Sequence, residues 1–172
     1  MLPASIDSEM FRFPVVVDVR AMALAALTVT AASMLSALLV RRRLDRLEVL
    51  RAELEASNPS IRVAVRALDV TDGDAVQETF GDLDAELGGI DRFVLNAGLG
   101  KGASIGSGKA HANRETAMVN VIGTLNQAES AMEILTIRGE GHLVFISSVS
   151  SLRGMPKAQN TYGASKAFVS SL

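Results

Sequence analysis

The 172-residue sequence contains no cysteine and no tryptophan, and only one tyrosine. Without a thiol there is no disulfide and no thiolate nucleophile or ligand, which permits a reducing compartment without proving one; the cytoplasm is the expected location. The two histidines, His111 and His142, stand far apart and join no metal-like spacing of carboxylates, so no metal site is expected. An excess of charge is also lacking: seventeen basic against nineteen acidic residues leave a net charge of −2. Such a chain has no strong field to attract a polyanion, and nucleic acid is not an expected partner. Glycine is missing from the first 72 residues, and all fourteen glycines lie between Gly73 and Gly163. A turn that needs left-handed backbone has no ready residue in that first stretch.

Charge disappears altogether over the twenty residues Ala21–Val40, which are followed at once by Arg41, Arg42 and Arg43. That is the length of a membrane span with a basic flank. The preferred reading is a buried helix, about Ala21–Ser33, and then a strand, about Ala37–Arg41. Seven alanines with Thr28, Thr30, Ser33 and Ser36 make the segment only moderately hydrophobic. A secretory leader fits poorly, since the start carries Asp7 and Glu9 in place of a basic region.

With this length one well-buried core is expected. Residues 1–13 read as a loose terminus and residues 14–172 as one domain. After a first strand at Val15–Val19 and the pair just described, Leu44, Leu47, Leu50 and Leu54 mark one face of a helix. Asn58-Pro59-Ser60 ends it, and Ile61–Leu68 is a third strand. Val76, Phe80, Leu83 and Leu87 mark the next helix, stopped by Gly88-Gly89. Asp91–Leu95 is a fourth strand, leading through Asn96-Ala97-Gly98 into the glycine- and serine-rich loop LGKGASIGSGK, read either as a linker or as a loop that approaches a ligand. A long helix, about Ala112–Thr136, has Met118, Ile122, Leu125, Met132 and Leu135 as its expected core stripe.

Next comes HLVFISSVSSLRGMPKAQNTYGASK, from His142 to Lys166. Its apolar beginning reads as a buried fifth strand. Thr161–Leu172 has no internal proline and reads as a helix, on which Tyr162 and Lys166 share a face. An ammonium one turn from a phenol favours the phenolate, so the tyrosine becomes a proton donor or acceptor near neutral pH. Ordinary helices also carry such pairs, and the rest of the chain has to decide. Apolar strands alternating with helices argue for an α/β fold, a doubly wound parallel sheet of about five strands with helices on both faces. Ligands bind such sheets at the carboxyl ends of the strands, where Asp69, Asn96 and Ser148 all fall.

These residues, in this order, resemble the short-chain dehydrogenase/reductase family from about Arg41 onward. Tyr162-Gly163-Ala164-Ser165-Lys166 is similar to its active-site step, Ile146-Ser147-Ser148-Val149 to its substrate-polarising serine, with Ser148 the preferred residue, and Asn96-Ala97-Gly98 to its Asn-Ala-Gly turn. Asp69-Val70 matches its adenine-side pair, and Asn120 in MVNVIGT matches the asparagine of its catalytic tetrad. The resemblance implies a Rossmann-like dinucleotide-binding domain that transfers hydride between a nicotinamide cofactor and a small-molecule carbonyl or alcohol. Tyr162 would move the proton, Lys166 would support it and hold the nicotinamide ribose, Ser148 would bond the substrate oxygen, and Asn120 would hold a relay water. Asp69, Val70, Asn96, Ala97 and Gly98 would line the adenosine half of the groove. Arg41 and Arg42 stand where a basic residue suits a 2′-phosphate, so NADP is expected over NAD. Homo-oligomers pair through the long helix and the Tyr162 helix in similar proteins.

Two features differ from the family pattern. Where its Thr-Gly-x-x-x-Gly-x-Gly turn belongs, near Val16–Ala23, the chain reads VVDVRAMA. The last residue, Leu172, comes six positions after Lys166, before the family's remaining strands. The domain is thus expected to be incomplete, divergent at its start and truncated at its end. The alternatives to an enzyme are a non-catalytic remnant or interaction piece, and a form anchored to a membrane by residues 21–40.

Overall fold

The computed structural model describes residues 44–172. The expected elements before Leu44, the segment 21–40 and the cofactor candidates Arg41 and Arg42 lie outside the described residues. Helix α1 covers 44–57, with Leu47, Leu50 and Leu54 largely exposed. Helices α2 (Gly73–Leu87), α3 (Ala110–Ala117), α4 (Gly123–Arg138) and α5 (Asn160–Ser171) follow, with strands β1 (Arg92–Leu95) and β2 (His142–Phe145). The strands pair in parallel with Arg92 opposite His142 and Leu95 opposite Phe145.

Local chemistry explains the ends of these elements. Asp72 accepts a hydrogen bond from the Ala75 amide and caps α2, while Gly88, at φ +80°, closes it in the left-handed conformation. Along β1 the side chains alternate, and Phe93 and Leu95 face inward against Ala128, Ala131 and Leu135 of α4. Phe80 of α2 stacks on Phe93 with ring centroids 5.3 Å apart. This α2–α4–β1 contact is the hydrophobic centre of the described residues. β2 is half-buried, where a fully buried strand was expected, because among the described residues it has only one ladder neighbour.

The segment Ile61–Leu68, expected as a third strand, enters no ladder among the described residues. Side chains hold it in place instead. Arg62 donates to the Leu87 carbonyl at 2.7 Å, Arg66 pairs with Glu86, and Asn126 of α4 donates to the Val70 carbonyl at 3.0 Å.

The long helix departs from its expected core stripe. Met118, Ile122 and Met132 are exposed and Leu125 is half-buried, so of the five only Leu135 is buried. Small and polar residues take the inner face: Thr116, Asn120, Thr124, Gln127, Ala128 and Ala131. Small side chains let neighbouring backbone come close, and the buried polar groups find partners there. Thr116 bonds the Ala112 carbonyl and Gln127 the Gly123 carbonyl. Between α3 and α4 the helix widens into a π turn, Met118–Ile122, closed by the Gly123 amide on the Met118 carbonyl. Such turns frequently mark functional sites.

Candidate active site

The widened turn sets Asn120 at the centre of a hydrogen-bond group with no exposed surface. Its Oδ1 accepts from the Leu99 amide at 2.7 Å. Its Nδ2 donates to the Leu99 carbonyl at 3.0 Å and to Ser165 Oγ at 2.9 Å. Ser165 Oγ in turn donates to the Tyr162 carbonyl at 2.7 Å, which ties the long helix to the first turn of α5.

Lys166, one turn after Tyr162, is 5 % exposed. Its Nζ donates to the Ile146 carbonyl, just past β2, at 2.7 Å, and no carboxylate pairs with it among the described residues. Burial of an ammonium beside a neutral carbonyl alone is costly. Tyr162 and Lys166 both line a cleft of about 400 Å³ together with Asn96, Gly98, Gly100, Ile146, Ser147 and Gln159. The cleft lies just beyond the carboxyl ends of β1 and β2, where the parallel-sheet rule places a ligand.

The other sequence candidates are spread along its edges. Ala97 connects Asn96 to Gly98 and is half-buried. A Cβ at Gly98 would stand 3.5 Å from Lys166 Nζ and 3.7 Å from Asn120 Oδ1. Glycine therefore leaves that wall of the cleft open. Ser148 caps the short turn Val149–Leu152, its Oγ accepting from the Ser150 amide at 3.2 Å and from Ser150 Oγ at 2.9 Å. The serine on the cleft wall is its neighbour Ser147, whose Oγ donates to the Lys166 carbonyl at 2.9 Å. Asp69 and Val70 lie in the turn before α2. Two hydrogen bonds from Thr71, backbone amide at 2.9 Å and hydroxyl at 2.8 Å, hold the Asp69 carboxyl below its ordinary pKa. Val70 packs on α4 so closely that a Cβ at Gly123 would fall 2.6 Å from its Cγ2.

Ser165, Asn113 and Gln159 were not singled out from the sequence. Ser165 and Gln159 carried one weak signal, their positions beside the Tyr–Lys pair. Asn113 stands seven residues before Asn120, two helical turns along the same face.

The comparisons agree with the motifs. The pattern that defines short chain dehydrogenases matches residues 19–172, and the chain belongs to that family of oxidoreductases. An uncharacterized oxidoreductase of Mycobacterium tuberculosis is 49% identical over 134 residues, which are 78% of this chain and 53% of that one. The chain thus spans about half the length of the curated relatives it matches. Among solved structures, levodione reductase superposes with a TM-score of 0.64 at 28% identity, over 72% of this chain and 48% of that one. The structure described as ElxO with NADP bound gives 0.60 at 26%, over 69% and 48%. The fold is accordingly of the Rossmann-like α/β class. No helix of the described residues is long and apolar enough to cross a membrane.

Proposed function

We propose that the chain carries the proton-transfer side of an NADP-dependent oxidoreductase acting on a small carbonyl or alcohol. The observation that carries this reading is the buried Lys166 ammonium, without a carboxylate partner among the described residues, in one cleft with the Tyr162 ring. A fold gains little from such a cation, whereas a site that binds polar oxygens and moves a proton uses it directly.

The cleft suits the nicotinamide riboside end of a dinucleotide. Its volume is in the ligand-pocket range, and a Cβ at Gly98 would fill the space beside Lys166 Nζ and Asn120 Oδ1. Lys166 and Tyr162 would hold the ribose, with Asn96, Ala97 and Gly98 along the wall and Asp69 and Val70 toward the adenosine. Arg41 and Arg42 would meet the 2′-phosphate. When bound, the nicotinamide supplies or accepts the hydride at carbon. In reduction the Tyr162 hydroxyl gives its proton to the carbonyl oxygen while Lys166 stabilises the phenolate left behind. Ser148 donates a hydrogen bond to the same oxygen as its charge develops, once its hydroxyl turns from the Ser150 cluster. The reverse order oxidises an alcohol. ElxO, whose structure is described with NADP bound, and levodione reductase, by its name, support the cofactor and the reaction class.

The test follows NADPH consumption by the purified chain with a panel of aldehydes and ketones. Tyr162→Phe is expected to lower the rate by about a hundredfold or more, while NADPH fluorescence still saturates on titration. Folded wild-type protein that binds no NADPH, or binds it and reduces no member of the panel, sinks the proposal.

A further inference from the structure

The loop after β1 is held to the long helix at two points, and both anchors are asparagines. Asn120 holds the Leu99 amide and carbonyl. Asn113 Oδ1 accepts from the Ala103 amide at 2.8 Å, and Ala103 is buried although the loop around it is largely exposed. Between these anchors lies Gly100, which lines the same cleft as Tyr162 and Lys166. A third link, the exposed Lys101–Glu115 pair at 3.1 Å, lies alongside and contributes little. Beyond Ala103 the chain turns through Ser104–Ser107 and two left-handed glycines, Gly106 and Gly108, before α3 begins. Among the described residues no side chain ties that outer half to the helix in the same way. The backbone that forms the cleft wall is therefore fixed by two side chains on one helix face, seven residues apart.

We infer that Asn113 is a positioning residue: through the Ala103 amide it fixes the 99–103 segment, and with it the Gly100 wall against which the cofactor's nicotinamide end would rest. The inference rests on the oxidoreductase reading for the identity of the ligand, but the loop anchoring stands apart from it. Chemistry separates the roles of the two asparagines. Asn120 uses both its oxygen and its nitrogen, so an acid cannot replace it without losing a donor. Asn113 uses only its oxygen among the described residues, so an aspartate at this position keeps the bond and a leucine of similar size removes it.

The test compares Asn113→Leu with Asn113→Asp in the full chain, first confirming by circular dichroism that each folds. Amide hydrogen exchange at Ala103 is the readout independent of activity. Protection is expected in wild type and in Asn113→Asp, and loss of it in Asn113→Leu. The NADPH dissociation constant, from fluorescence titration, is expected to rise about tenfold in the leucine variant, the effect of one lost hydrogen bond, and to stay near wild type in the aspartate variant. An Ala103 amide that exchanges freely in wild type, or an aspartate variant that behaves as the leucine one, overturns the inference. If Asn113→Leu does not fold, Asn113→Ser, too short to reach the amide, takes its place with the same expectations. If wild type binds no NADPH, the oxidoreductase reading fails, and the exchange result alone still decides whether Asn113 positions the loop.

Discussion

Asp69 shows how a residue's immediate neighbours set its chemistry. Its carboxylate accepts two hydrogen bonds from Thr71, and these outweigh the opposing effect of partial burial. A carboxyl whose folded pKa is depressed adds stability that is present above its unfolded value of 3.8 and is lost as pH falls through the lower folded value. Carboxyl chemical shifts are accordingly expected to place the Asp69 midpoint below 3.8, and Thr71→Val, which removes the hydroxyl but keeps the amide, should raise it part of the way. An unchanged midpoint in that variant would show that the hydroxyl contributes nothing. Lys166 illustrates the opposite case, a buried charge bonded to one neutral carbonyl, that of Ile146, whose meaning depends on the cleft around it.

At the scale of elements, glycine separates positions where packing decides from positions where propensity decides. Gly123 opens α4 against Val70, and an added Cβ would fall 2.6 Å from Val70 Cγ2 and 3.3 Å from Val70 Cβ, a β-branched side chain that cannot swing aside. Gly81, inside α2, has no heavy atom within 4 Å of such a Cβ. Gly81→Ala is therefore expected to raise stability by about 0.5–1 kcal/mol, the helix propensity difference. Gly123→Ala should lower it by about 1–3 kcal/mol, the usual cost of overpacking. Urea unfolding of the two variants reads both signs, and a stabilising Gly123→Ala would show that the 61–72 segment does not press on α4. The same close contact, together with the Asn126 bond to Val70, keeps the residues proposed for the adenosine side near the long helix that carries Asn120.

For the molecule as a whole, ligand binding and folding are linked. If the cleft takes NADPH, then NADPH at a hundred times its dissociation constant should add about 2.7 kcal/mol to stability and raise the midpoint of thermal unfolding. A midpoint that does not move with NADPH concentration would contradict the cofactor proposal even if the protein is well folded. Membership of the short chain dehydrogenase family fixes what to test first. Since the chain spans about half of its relatives' length, activity and substrate have to be measured on this chain itself.

The sequence by itself determined the family, the parallel α/β class and the helices and turns whose signals are local. The Gly88 stop and the four-residue step from Tyr162 to Lys166 depend on chemistry within one or two turns, and both appear where the residues put them. Only the tertiary structure decided what depends on distant partners. Periodicity gave the long helix an apolar stripe, but packing buries Asn120, Thr124 and Ala128 and leaves Met118, Ile122 and Met132 outside. The reason is that burial follows which neighbours come close, and a small or hydrogen-bonded side chain admits backbone that a methionine would hold off. Asn113 was invisible for the same reason, since its partner, the Ala103 amide, is set by the path of a loop. The Tyr162–Lys166 pair was legible as a motif. That it shares a cleft with Gly98 and Gly100 required the strands and the long helix to be packed together.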